Sequence, residues 1–309
     1  MRVAVVDMGT NSTRLLVAEV EGDHVRELNR RSTVTRLGRG VDISGQLSAE
    51  AIEDVCRTVG EYIAIYEPLA PERVSALATS AVRDADNSGA FTGELRERFA
   101  LNARVLDGDE EARLGYLGAV SQREARGNST LVVDIGGGST ELVLGRGPQV
   151  SFHASLQAGT VRHTERHLLH DPPEAGELDE LAKDVRALIA AEIEIEGEGF
   201  THADEGIAVA GTPISLAAIE LELDPHDADA AHGHRLDLES IQHMCSMLST
   251  KSLAERLQVR GLHPGRAPTI VAGVVILIQA MRAFGLTEIE VSEHDILYGA
   301  AIEAARTTS

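Results

Sequence analysis

The chain has 309 residues, enough for about two domains, and 43% of them are hydrophobic, enough for ordinary globular cores. A net charge of −21 and only 3% aromatic residues, with no Trp, argue against nucleic-acid backbones and stacked bases as main partners. Cys56 and Cys245 fall on apolar helix faces and read as buried free thiols, so no disulfide framework is implied.

In chain order, residues 2–7, 13–20 and 24–30 read as strands. Ser48 caps a helix whose apolar residues Ile52, Val55, Cys56, Val59, Ile63 and Tyr66 recur at helical spacing. A strand near 74–79, a loop holding Arg83 and Asn87, a helix at 91–99, a strand at 103–106 and a helix at 109–122 complete one αβ domain, 1–126. The polar stretch 123–128 reads as a linker. A second αβ domain, 127–309, starts the same way, with strands at 130–135, 141–145 and 149–155. Helices follow at 178–194, 213–221, 237–258 and 268–284, with strands at 207–210 and 288–291. The last helix, about 295–306, is free to pack back on the first domain. Residues 222–234 are a polar insertion. The start of the chain has no secretory pattern, and the apolar run 270–281 is too short for a bilayer. The expectation is a soluble, cytoplasmic protein with no membrane partner.

The beginnings of the two domains repeat each other. AVVDMGTNSTRLLV (4–17) matches LVVDIGGGSTELVL (131–144), aspartate on aspartate, glycine on glycine and Ser-Thr on Ser-Thr. Each copy reads as strand, tight turn, strand. A turn of Gly, Ser and Thr points several backbone N–H groups one way and suits phosphate. Glycine lets the backbone turn and lets the ligand come close. The two loops are Gly9, Thr10, Asn11, Ser12 and Thr13, and Gly136, Gly137, Gly138, Ser139 and Thr140. The hydroxyls of Ser12, Thr13, Ser139 and Thr140 are expected as added donors. Asp7 and Asp134 end the leading strands. A carboxylate beside a phosphate repels it unless a cation lies between, so each turn implies a divalent metal, Mg²⁺ above all, with Mn²⁺ as the alternative. Two such loops facing each other across a cleft would hold one polyphosphate from both sides.

These loops resemble those of the actin, sugar-kinase and Hsp70 superfamily. More narrowly, five stretches resemble the exopolyphosphatase and guanosine pentaphosphate phosphohydrolase family. They are VDMGTNSTRL (6–15), TSAVRDADN (79–87), LDGDEEARLGYLG (106–118), VVDIGGGSTEL (132–142) and AGTPISLAA (210–218). The resemblance implies an α/β protein of two ribonuclease-H-like, actin-like ATPase domains with hydrolysis in a cleft between them. The chain looks like a short form without the C-terminal helical extension of longer members. SEHDILYG (292–299) departs from the Gly-Leu-Arg-Glu-Gly run common there.

Glu110 and Glu111 open a helix, where acidic side chains suit the dipole, and spacing alone leaves both open as the base. The resemblance assigns the role to Glu111, which would deprotonate the attacking water. It implies Arg83 as the group neutralising charge on the transferred phosphoryl, and Asp7, Asp134 and Glu141 as the metal side. Arg14, with the two loops, is expected to bind phosphate. The implied activity is release of orthophosphate from inorganic polyphosphate. Guanosine pentaphosphate is the rival substrate, and a non-catalytic actin- or Hsp70-like nucleotide switch the rival of another class; a homodimer is a further expectation. Arg26, Arg30, Arg31, Arg36 and Arg39 cluster against one acid, Glu27, and would form a basic rim on an acidic protein. His163, His167 and His170 stand at helical spacing and would offer a zinc site, although the family's similar VRxTERxL segment needs no such metal. AGTPISLAA resembles a segment that touches adenosine in ATP-binding relatives, and reads equally as strand-turn-helix packing. Arg266 is a further phosphate contact to consider.

Overall fold

The computed structural model describes residues 1–123, 127–196, 202–223 and 228–306. Contacts group the chain into two units, Met1–Arg123 with His294–Ser309, and Glu124–Glu293. The last helix was expected to be free to pack back on the first domain, and His294–Ser309 group with the first unit. Half of the expected linker, at 124–126, and part of the polar insertion, at 224–227, lie outside the described residues.

The first unit opens with β1 (Arg2–Met8), β2 (Ser12–Glu21) and β3 (His24–Val34), an antiparallel meander. Then come α1 (Val41–Ser44), α2 (Ala49–Tyr66), β4 (Arg73–Ala78), α3 (Ser80–Arg83), α4 (Ser88–Phe99), β5 (Ala103–Val105) and α5 (Gly108–Val120). β4 and β5 add in parallel, so the sheet runs β3-β2-β1-β4-β5. Side chains alternate across a strand, and β1 is apolar on both faces. Ala4, Val6 and Met8 pack with Val55, Val59 and Tyr62 of α2 and with Phe91 and Leu95 of α4. Val3 and Val5 join the cluster of Leu114 in α5 on the other side. Ser48 does cap α2, its side chain accepting from the Ala51 N–H at 3.2 Å. The expected loop holding Arg83 is a helical turn.

The second unit carries β6 (Thr130–Ile135), β7 (Thr140–Arg146), β8 (Gln149–Leu156), α6 (Thr160–His167), α7 (Ala175–Glu196), β9 (Glu205–Val209) and α8 (Gly211–Glu220). It continues with α9 (Ala228–Ala231), β10 (Arg235–Asp237), α10 (Leu238–Ser249), α11 (Leu253–Arg256), α12 (Ile270–Ala283) and β11 (Glu288–Val291). Its sheet order, β10-β11-β9-β6-β7-β8, repeats the first sheet's arrangement with β10 added at the edge beyond β11. The duplicated sequence is thus a duplicated ribonuclease-H-like sheet. α12 is buried from Ile270 to Met281 and shares a core with Leu131, Val133 and Leu142 of the sheet and Leu181 and Val185 of α7. The helix expected at 237–258 breaks because Ser252 caps a new turn, α11, in a reciprocal box with Glu255.

The last helix, α13 (Ile296–Arg306), packs in the first unit against α5 and β1. Glycine makes the approach possible. A Cβ on Gly118 would lie 1.9 Å from the Asp295 carbonyl oxygen, and one on Gly299 would lie 1.9 Å from that of Leu114. This backbone contact fixes Asp295, the residue just before α13. Among the described residues no helix is long and apolar enough to cross a membrane.

Candidate active-site residues of the two units

In the first unit the β1–β2 hairpin turns through residues 9–11, closed by the Gly9 N–H donating to the Ser12 carbonyl at 3.0 Å. The turn is held from behind. The Thr35 and Arg36 N–H groups donate to the Asn11 carbonyl, the Gly38 N–H donates to that of Thr10, and the Ala81 N–H donates to Thr10 Oγ1. Asp7 stands opposite Arg14 across the ladder, and Met8 opposite Thr13. Arg14 donates from Nε and Nη2 to Asp7 Oδ2, at 2.9 and 2.6 Å, and from Nη1 to Asp295. The expected phosphate ligand Arg14 is therefore committed to two buried carboxylates. Burial lifts the Asp7 carboxyl above its ordinary value against the pull of Arg14. Asp295 is just as buried, but Arg14 and Arg30 hold it below its ordinary value.

Four buried polar atoms here have no hydrogen-bond partner among the described residues: Asp7 Oδ1, Asn11 Nδ2, Ser12 Oγ and Ser80 Oγ. Burying such groups bare costs about 1–3 kcal/mol each unless a ligand satisfies them. Thr13 differs from the expectation. It lies on the face away from Asp7, where its Oγ1 is 3.0 Å from Thr35 Oγ1 and its carbonyl accepts from the Tyr62 hydroxyl.

α5 separates the two candidate glutamates. Asp107 caps the helix by accepting from the Glu110 N–H at 2.8 Å, and the Glu110 carboxylate accepts in turn from the Asp107 N–H. Glu110 is thus a capping residue, with its side chain 36% exposed. Glu111, one position on, turns inward and is 9% exposed. Arg83 Nη1 donates to its Oε2 at 2.9 Å and also to the Leu106 carbonyl. Burial pushes the Glu111 carboxyl up to about 7; Arg83 opposes the rise and Asp7 adds to it. Arg83 is therefore placed as the partner of Glu111.

In the second unit the hairpin is rebuilt with the same register, Asp134 opposite Glu141 and Ile135 opposite Thr140. The Gly136 N–H donates to the Ser139 carbonyl at 3.0 Å, as Gly9 does to Ser12. α6 holds this loop from behind. The Thr160 N–H donates to the Gly136 carbonyl, those of Val161 and Arg162 to the Gly137 carbonyl, and Arg162 Nε to the Gly138 carbonyl. With these carbonyls drawn to one side, the N–H groups of Gly137 and Gly138 have no acceptor among the described residues. Glu141 is buried, and its Oε1 accepts from Ser155 Oγ at 2.9 Å. Ser139 is buried in the turn. Thr140, like Thr13, lies on the core face and spends its hydroxyl on the Ala158 carbonyl.

The expected basic rim is split. Arg26 pairs with Glu19, and Arg30 lies 4.0 Å from Asp295, while Arg36 and Arg39 are exposed in the turn bonded to the first loop. Two features escaped the sequence reading. Asp295 stood inside the quoted SEHDILYG stretch, but nothing there pointed to Arg14. Ser80 stood inside the quoted TSAVR stretch, where a hydroxyl beside Arg83 could have marked it. AGTPISLAA starts at the β9–α8 junction, Ala210, and forms most of α8; a Cβ on Gly211 would lie 2.2 Å from Arg266 Cζ, so Arg266 covers the start of that helix.

A sequence model of the Ppx/GppA phosphatase family matches residues 16–302. Exopolyphosphatase 2 of Mycobacterium tuberculosis is 34% identical over 98% of both chains. A crystal structure of an exopolyphosphatase-like protein superposes with a TM-score of 0.93 at 33% identity, covering 100% of this chain and 99% of that one. The Aquifex aeolicus member of the Ppx/GppA family gives 0.83 at 28% identity with the same coverage. A duplicated hairpin with aspartate before glycine, a buried glutamate at the start of α5 and a family match across almost all of the sequence lead to one assignment: the chain belongs to the Ppx/GppA phosphatase family.

Proposed function

We propose that the chain is an exopolyphosphatase, releasing orthophosphate from the end of inorganic polyphosphate with Glu111 as general base. The observation that carries this reading is the buried Glu111 carboxylate, lifted to about 7 and aimed by Arg83. A base of that strength is half deprotonated near neutral pH, where proton transfer from water is most effective. Asn11 Nδ2, Ser12 Oγ and Ser80 Oγ are donors waiting for phosphate oxygens in the first unit, and the Gly137 and Gly138 N–H groups serve the same purpose in the second. Arg83 holds Glu111 and brings positive charge to its surroundings.

The donor set fits Mg²⁺. Asp7 Oδ1 is bare, and Asp134 faces Glu141 as carboxylate opposite carboxylate, which favours a hard cation. Asp7 in the first unit, and Asp134 with Glu141 in the second, are the residues that would hold such an ion in each. Bound Mg²⁺ would neutralise phosphate oxygens and so supply electrostatic stabilisation. Mn²⁺ prefers the same oxygen ligands.

Purified protein should release phosphate from long polyphosphate in Mg²⁺ and stop in chelator. Glu111→Gln should lower the rate by about 10²–10⁴ without loss of folding. Parallel assays with guanosine pentaphosphate and ATP rank the substrates. A Glu111→Gln variant as fast as the parent would remove the reading.

A further inference from the structure

α6 carries a second constellation, separate from the phosphate loops. His163 and His167 are one helical turn apart on one face, their ring centroids 5.4 Å apart. Asp184 of α7 reaches across to both. Its Oδ2 lies 3.4 Å from His163 Nε2 and 2.9 Å from His167 Nε2. All three ligand atoms fall within 4.8 Å of one another. His170, the third histidine of the sequence motif, is not part of this group; it pairs with Glu177 at 2.9 Å.

His163 is fully buried, and both of its ring nitrogens lack a hydrogen-bond partner among the described residues. A bare imidazole in a core is unfavourable, and an apolar residue would fill the same space at less cost. A bound cation accounts for it. Zinc–ligand bonds of about 2.0–2.1 Å place tetrahedral donors about 3.3–3.4 Å apart, which is the spacing from Asp184 to His163; the 2.9 Å hydrogen bond from Asp184 to His167 would lengthen to admit the ion. Two imidazoles and one carboxylate are a borderline-soft set that suits zinc better than magnesium. His167 and Asp184 remain partly exposed, which gives the ion an entry and a water its fourth position. Arg166 Nη1 lies 3.6 Å from Asp184 Oδ2, but the arginine is 41% exposed and can move its charge into solvent.

We infer that His163, His167 and Asp184 form a Zn²⁺ site that clamps α6 to α7. The start of α6 holds the carbonyls of Gly136 and Gly137, so the clamp stiffens the support of the second loop. The site is distinct from the carboxylates assigned to Mg²⁺.

The test uses full-length protein stripped with chelator, then titrated with Zn²⁺ in excess Mg²⁺ so that the loop carboxylates are already occupied. The wild type should bind one Zn²⁺ per chain, gain melting temperature with added Zn²⁺, and show tetrahedral visible bands with Co²⁺. His163→Leu, which fills its buried space, and Asp184→Asn, at a partly exposed position, should each weaken Zn²⁺ binding by about 10–100-fold or more. Both should lose the thermal shift. Wild type that takes up no Zn²⁺ under these conditions overturns the proposal, as do both variants binding as tightly as wild type.

Discussion

In the first hairpin Asp7 faces Arg14 across the ladder; in the second Asp134 faces Glu141. Register, turn closure and strand order are the same, so the backbone has been kept and the charge opposite the aspartate reversed. The first aspartate has a guanidinium that also reaches Asp295, and this ion triad is nearly closed to water. The second aspartate faces another carboxylate, and like charges directly opposite in a sheet are destabilising unless a cation separates them. One hairpin therefore sets a guanidinium opposite its aspartate, and the other a second carboxylate.

The largest expected effect comes from breaking the first arrangement. Arg14→Met leaves Asp7 and Asp295 buried and uncompensated, and should cost about 3–5 kcal/mol in urea unfolding. Glu141→Gln in the second hairpin should change stability by about 1 kcal/mol or less without metal, because Ser155 keeps an acceptor and a repulsion is removed. Added Mg²⁺ should stabilise the wild type in the same unfolding assay, and this variant less. Equal costs for the two substitutions would show that the hairpins are not differently charged in the way described.

Next in size is a pH effect confined to the first unit. Burial raises the Glu111 carboxyl to about 7, so between its ordinary value and 7 the folded state binds more protons than the unfolded one. Stability should then fall as pH rises through this window and level off above it, a loss of about 3 kcal/mol. Activity should run the other way, with kcat/KM rising toward a plateau above pH 7 as the base loses its proton. Glu111→Gln should flatten both profiles. A stability profile unchanged by that substitution would mean that Glu111 titrates near its ordinary value.

The hairpins were legible in the sequence because aspartate, glycine and Ser-Thr recur at fixed positions between apolar strands, which is local information. α2 was legible for the same reason, as periodicity and the Ser48 cap lie within one segment. The choice between Glu110 and Glu111 was also within reach, since Asp107 and Glu110 have the spacing of a capping box. The pairing of Arg14 with Asp295 spans 281 residues, and nothing near either one announces it. Asp184 is hidden in the same way, as one acid among many on α7 that acquires meaning only when α6 packs beside it. Thr13 and Thr140 were misread because a turn motif was read as a string of donors, although strand alternation already turns them to the opposite face from Asp7 and Asp134.

The two loops also differ in what supports them. Behind the second loop, a Cβ on Gly159 would meet the Gly137 carbonyl oxygen at 2.3 Å and the Gly138 carbonyl carbon at 2.4 Å. Those are backbone atoms with little room to move. Gly159→Ala should therefore cost about 1–3 kcal/mol and raise KM for polyphosphate by pushing the loop out of shape. Behind the first loop, a Cβ on Gly38 would meet the Thr10 methyl at 2.2 Å and Ala81 Cβ at 3.0 Å, side-chain rather than backbone atoms, so that giving way would cost Thr10 its bond from the Ala81 N–H rather than move the loop backbone directly. Gly38→Ala should be milder in both respects. Thermal melts and steady-state kinetics on the pair would separate a rigid support from a yielding one.

The smallest effect concerns backbone conformation alone. Ala210, between β9 and α8, sits at φ 72° and ψ −169°, a region that only glycine enters freely. In the first unit Ala100 also has positive φ, but at 53° with ψ 25° it occupies the ordinary left-handed well at a helix end. Strain at the first position is of order 1–3 kcal/mol, and glycine gives back about 0.4–1 kcal/mol through the greater freedom of the unfolded chain. Ala210→Gly should thus stabilise the protein by about 1 kcal/mol, seen as a small rise in melting temperature, and Ala100→Gly by less. If relaxing Ala210 also raises KM, the strained turn is fixing Gly211 against Arg266 for a purpose; if KM stays put, the strain serves only the packing of α8 onto the sheet.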